Sequence, residues 1–135
     1  MHKQIEWTHD QIIYFPNGLP GFEEHKRFII SSAPEHQPFH WLDSIDQSAR
    51  FALINPLLFK SDYEPRLKKE DLVSLHIEDP KELLLYVIVT LRDPLDESTG
   101  NLMGPLFINI RERIGKQILL EEGQYSHRER ILSPC

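Results

Sequence analysis

Histidines, one cysteine, scattered serines and a run of carboxylates are the side chains of this sequence from which chemistry could be built. His36 and His40 have the four-residue spacing of a metal pair on a helix, but Pro38 between them breaks the face that such a pair needs. His2, His9, His25, His76 and His127 are dispersed, so surface histidines and no bound metal are expected. Cys135 is the sole cysteine. It can form no internal disulfide and no multi-thiolate centre, and the last position of the sequence is a poor place to hold a reactive thiolate. The serines, Ser44 and Ser98 among them, lie in no G-x-S-x-G elbow. Gly18-Leu19-Pro20-Gly21 is not a phosphate loop: it lacks the G-x-G-x-x-G pattern and the terminal Lys-Ser/Thr. A tight turn is expected there, with Pro presetting φ and Gly supplying a positive φ. Asp93, Asp96 and Glu97 are three carboxylates in five residues, but in a Pro-containing polar loop they read as solvated. No catalytic set is assembled and no cofactor is implied. A binding or adaptor protein is the expectation.

Charge gives that expectation a direction. The chain carries 21 acidic against 15 basic residues, a net charge of −6. Between Lys60 and Thr99 stand ten acidic and six basic residues, which puts most of the excess in that stretch. Such a surface suits a basic protein partner and repels nucleic acid. Glu70, Asp71, Glu78, Asp79, Asp93, Asp96 and Glu97 are the candidate contact residues, with Asn101 as a polar candidate beside an apolar strand. Asp71 has a competing role, stabilising the start of a short helix.

The elements that must carry these residues are short. Ten prolines and six glycines divide 135 residues into strand-length segments. Strands are expected at Gln11–Phe15, Arg27–Ile30, Phe39–Leu42, Arg50–Ile54, Leu84–Leu91, Leu106–Ile110 and Gln117–Leu120, the last two joined by a hairpin loop ending in Gly115. Only Lys68–Leu75 reads as helix, with Leu72 and Leu75 facing inward. The class is all-β: a compact antiparallel β-barrel-like single domain over 1–135, with its core at about 11–132. The longest apolar run, Leu83–Leu91, is too short to cross a bilayer, and Met1–Trp7 carries no secretion signal, so a cytoplasmic, membrane-free protein is expected.

Several motifs are collinear with a known family. Ile13-Tyr14-Phe15-Pro16-Asn17-Gly18-Leu19-Pro20-Gly21-Phe22-Glu23 is similar to an F-x-x-G-L-P-G-F-E entry, and Thr99-Gly100-Asn101-Leu102-Met103-Gly104-Pro105 is followed by Ile108-Asn109 and by Gly115 and Gln117. By these motifs the chain resembles the bacterial flagellar assembly factor FliW family, from about Gln11 to Leu132. Asp43 stands where that pattern has Gln, and Gly104 where it has Ala. The resemblance implies a non-enzymatic regulator with two partners, flagellin and the carbon storage regulator CsrA, an RNA-binding repressor of flagellin translation. It also implies a β-barrel-like fold and sequestration of CsrA once flagellin is secreted. The acidic stretch would then meet the basic face of CsrA or keep RNA from it. The alternative from another class is a small β-barrel enzyme or ligand-binding domain of the flavin-binding split-barrel type, which needs a cleft with convergent polar groups.

Overall fold

The computed structural model describes residues 7–131. Among the described residues nine strands occur in the order β1 (Ile13–Tyr14), β2 (Arg27–Ser31), β3 (His40–Ser44), β4 (Arg50–Ile54), β5 (Leu84–Thr90), β6 (Thr99–Gly100), β7 (Leu106–Asn109), β8 (Ile114–Gln117) and β9 (Glu129–Arg130). One α-helix, α1 (Lys69–Ser74), and five single 3-10 turns join them. The pairing runs β4-β3-β2-β1-β8-β7-β5, and β4 pairs again with β5, which closes a seven-strand barrel. Closure leaves no open edge within that ring. β5 is long enough to share its second edge: Leu84–Tyr86 pair with β7, while Val89 and Thr90 pair with β6, which carries β9 outside the ring.

The barrel is mixed, not wholly antiparallel. β1 and β8 run parallel, with Tyr14 opposite Ile114. This is the seam where the N-terminal strand meets the last hairpin, and a parallel pair there needs no tight turn.

Side-chain alternation explains the long apolar run of β5. Phe28, Leu42, Leu53, Leu106 and Ile108 fill the barrel with Ile13, Phe15 and Leu19, joined by the half-buried Phe51, Tyr86 and Ile88. The alternate residues Ala52, Ile54, Val87 and Val89 face outward into a second core with Phe39, Tyr63, Leu102 and Ile131. Phe107 faces outward too, into a third cluster with Leu75 and Ile118 beneath α1. Strands buried on both faces lose the polar half of their alternation.

Several expected boundaries shift. Arg50–Ile54 stands as expected. Gln11 belongs to a 3-10 turn, so β1 is only Ile13–Tyr14. β8 is Ile114–Gln117, three residues earlier than the expected Gln117–Leu120. The apolar Ile118-Leu119-Leu120 follows the strand, with Ile118 N–H donating to Pro105 O at 2.9 Å and Leu120 N–H to Met103 O at 2.8 Å. Gly115 therefore does not end a loop. It lies within β8, where a Cβ would meet Cζ of Phe15 at 2.5 Å. Its role is to make room for a core ring. The strands β6 and β9 were not expected, being two residues each with no apolar alternation.

The Gly18–Gly21 turn is as expected. Gly18 and Gly21 have φ of 63° and 81°, and Leu19 and Phe22 pair across the turn. Leu19 is buried, so the turn plugs one end of the barrel core.

Candidate functional site

α1 is held from both ends by side chains on the last hairpin. Asp71 is buried, its Oδ2 accepting from Lys68 N–H at 3.0 Å and its Oδ1 from Lys116 Nζ at 2.9 Å. Burial pushes this carboxyl up, but the hydrogen bonds from Lys116 and Lys68 outweigh it and hold the group below its ordinary value. At the other end Asn109 Nδ2 donates to Leu75 O at 2.8 Å and His76 O at 3.2 Å, and its Oδ1 accepts from Glu112 N–H at 3.2 Å. Asp71 is thus an internal tie between helix and barrel, and Asn109 a second one.

The remaining acidic candidates are exposed but do not form one patch. Glu70 lies on α1, and Glu78 and Asp79 follow it, Asp79 capping the Pro80–Glu82 turn through Lys81 N–H at 3.0 Å. Asp93, Asp96 and Glu97 lie in the β5–β6 connection. The first group precedes β5 and the second follows it, so the seven-residue strand separates them by on the order of 20 Å. A stretch contiguous in sequence becomes two acidic clusters at opposite ends of one strand.

The histidines are used mainly in packing. His36 Nδ1 lies 3.1 Å from Trp41 Nε1 and its ring packs edge-on against Trp41, while His40 packs against Tyr86. His25 is buried, contrary to the surface expectation, with Nδ1 2.8 Å from Ser44 Oγ. Among the described residues no three of His, Cys, Asp and Glu converge as metal ligands. His2 and Cys135 lie outside the described residues.

The departures from the motif pattern have structural uses. Asp43 is buried and pairs with Arg50 Nε at 2.7 Å, and the Arg50 guanidinium covers the Trp41 ring at 4.8 Å. At Gly104 a Cβ would meet Gln117 Nε2 at 2.7 Å, and that nitrogen donates to Gly104 O at 2.9 Å. Asn101 Oδ1 accepts from Met103 N–H at 3.1 Å, closing the turn on which Gly104 sits.

One mouth of the barrel forms a concavity of about 780 Å³. The inward-facing Leu19, Phe51 and Ile88 come to its surface as an apolar floor, with Leu119 beside them, 73% exposed. Its rim is basic: Arg92, Arg128 and Arg130 with His127, against the single carboxylate Glu97. Register sets the rim. Thr90 pairs with Thr99 and Thr99 with Arg130, so β5, β6 and β9 lie side by side along it. Arg92 N–H donates to Ser98 Oγ at 2.8 Å, and Leu102 N–H to Ser126 O at 3.0 Å fixes the segment bearing Arg128. A second recess of about 400 Å³ shares Pro20, Gln117 and Leu119 with the mouth and extends it along the Gly18–Gly21 turn. The expected contact residues Glu97 and Asn101 both line this mouth, but none of its arginines is among those expected. Its arginines come from segments 38 residues apart, and only the β5–β6–β9 pairing joins them.

Comparison with known proteins places this geometry. The family model described as FliW protein matches residues 1–131. A flagellar assembly factor FliW of Alkaliphilus metalliredigens is 38% identical over 131 residues, 96% of this chain and 81% of that protein. One of Thermoanaerobacter pseudethanolicus is 40% identical over 130 residues, 95% of this chain and 87% of that protein. A crystal structure of the flagellar assembly factor FliW superposes with a TM-score of 0.91 at 36% identity, covering 98% of this chain and 94% of the other.

Proposed function

The chain belongs to the FliW family of flagellar assembly factors, and from that membership we propose that it is a cytoplasmic, non-enzymatic regulator of flagellin synthesis that binds CsrA and flagellin in turn. The family match carries the reading, and the acidic surface supports it. An RNA-binding repressor presents basic groups, and a protein of net charge −6 that docks beside them raises the cost of bringing RNA phosphates to the same place. The protein itself does not bind RNA.

Neither acidic cluster is free of basic neighbours: Lys68, Lys69 and Lys81 flank Glu70, Glu78 and Asp79 in the chain, and Arg92 precedes Asp93, Asp96 and Glu97. Each exposed pair contributes only about 0.2–1 kcal/mol, so the combined field acts mainly on association rate. Reversing Glu70, Glu78 and Asp79 to Lys together is expected to slow association with CsrA about tenfold at low salt and to flatten the salt dependence. Reversing Asp93, Asp96 and Glu97 should act in the same direction. Stopped-flow or surface-plasmon kinetics at two salt concentrations measure both. Wild-type rates and salt slope in the first variant would remove the acidic surface from the reading.

A further inference from the structure

We infer that the basic mouth of the barrel docks an acidic, partly apolar segment of a polypeptide partner, taking carboxylates on Arg92, Arg128 and Arg130 and apolar side chains on Phe51, Ile88 and Leu119.

Three observations converge on it. First, the sign of the rim opposes that of the chain. Three guanidinium groups border one concavity with one carboxylate, in a molecule whose charge is −6. Second, among the described residues these guanidinium groups have no partner: the ion pairs there use Arg27, Arg50, Lys60, Arg111 and Lys116, and Arg92 and Arg128 bond to Ser98 and Ser126 only through their backbone N–H. Guanidinium groups offer forked donors matched to carboxylates, and a group of them without internal partners is a ready anion contact. Third, the floor is apolar and partly exposed, with Leu119 at 73% and Phe22 nearby on the turn side at 40%, packed edge-on against Phe51 at 5.1 Å between ring centroids. Carboxylates interleaved with apolar side chains match such a floor and rim together. Mouths of β-barrels are favoured ligand sites for this reason.

A polypeptide fits better than a nucleic acid. RNA presents a charge at every phosphate and would approach Asp93, Asp96 and Glu97 at the same end of β5. A peptide places its charges only where the arginines are. The mouth's arginines are opposite in sign to the carboxylates proposed for CsrA, and Glu97 borders both. This inference rests on the chemistry of the mouth and stands apart from the CsrA reading.

The test uses the full chain and a fluorescein-labelled peptide of Glu-Leu-Leu-Glu repeats, acetylated and amidated so that only side chains carry charge. Fluorescence anisotropy is expected to show saturable binding that weakens with salt. Arg128→Glu with Arg130→Glu should weaken it about tenfold or more, as the sum of several partly exposed charge contacts reversed in sign. Lys69→Glu with Lys81→Glu makes the same change in net charge outside the mouth and should leave binding within about twofold of wild type, as screening of distant charges requires. Circular dichroism confirms that each variant is folded. Leu119→Ala, at an exposed position, should weaken binding without changing the salt slope. Absence of saturable binding overturns the proposal, as does equal weakening by both charge-reversal pairs. Tighter binding of an RNA oligonucleotide of the same net charge, lost in the Arg128/Arg130 variant, would also overturn it and assign the mouth to nucleic acid.

Discussion

Gly115→Val is expected to destabilise the fold severely. Gly115 lies in β8 with no positive φ, so the usual conformational reason for glycine is absent. The constraint is the neighbour. A Cβ would stand 2.5 Å from Phe15 Cζ and 2.8 Å from both Cε atoms, and Phe15 is fully buried, packed edge-on against Phe28 at 5.2 Å between centroids. The ring cannot move without disturbing the barrel core. Overpacking costs about 1–3 kcal/mol, and displacement of a core Phe about 3–5, so Gly115→Ala should fall in the first range and Gly115→Val near the second. Against a typical total of about 5–15 kcal/mol, the valine variant is marginal. Urea denaturation measures the difference. A double-mutant cycle with Phe15→Leu identifies the cause, because the shorter side chain should relieve most of the Gly115→Ala penalty. Equal penalties in both backgrounds would show that the ring is not the obstacle.

Asn109→Leu is expected to cost about 2–4 kcal/mol, although leucine has nearly the same size. Asn109 is buried and its amide satisfies two carbonyls at the end of α1 and one N–H of the hairpin loop. An isosteric apolar group leaves all three unmatched. Asn109→Asp keeps the acceptor but turns a carboxylate oxygen toward Leu75 O and His76 O. At neutral pH it should destabilise at least as much as leucine, and recover as the solution is acidified enough to protonate the carboxyl. Thermal unfolding at neutral and mildly acidic pH checks the ordering. A leucine variant within about 0.5 kcal/mol of wild type, the range of an ordinary surface change, would contradict the clamp.

What the sequence made legible follows from where periodicity survives. β2, β4, β5 and β7 are apolar, β-branched or aromatic, and their positions come close to expectation. β8 was misplaced because its residues, Ile114-Gly115-Lys116-Gln117, each answer a neighbour in space: Gly115 to Phe15, Lys116 to Asp71, Gln117 to Gly104. The apolar Ile118-Leu119-Leu120 then looks more like a strand than the strand itself. Asn101 and Asn109 look alike in sequence, but one closes a local turn while the other clamps a helix 34 residues away. The acidic stretch was visible as composition, yet its division across β5 is a property of the barrel. The arginine mouth had no local signature at all.

The proposed function requires that this protein remove CsrA from flagellin message without touching RNA. The most direct measurement titrates it into a preformed complex of CsrA and a labelled flagellin leader RNA, followed by native gel shift with this protein and RNA alone as a parallel series. Stepwise loss of the CsrA–RNA band, return of free RNA, and no retardation of RNA by this protein at physiological salt are expected. A CsrA–RNA band that persists at saturating protein, or retardation of RNA by this protein alone, would contradict it.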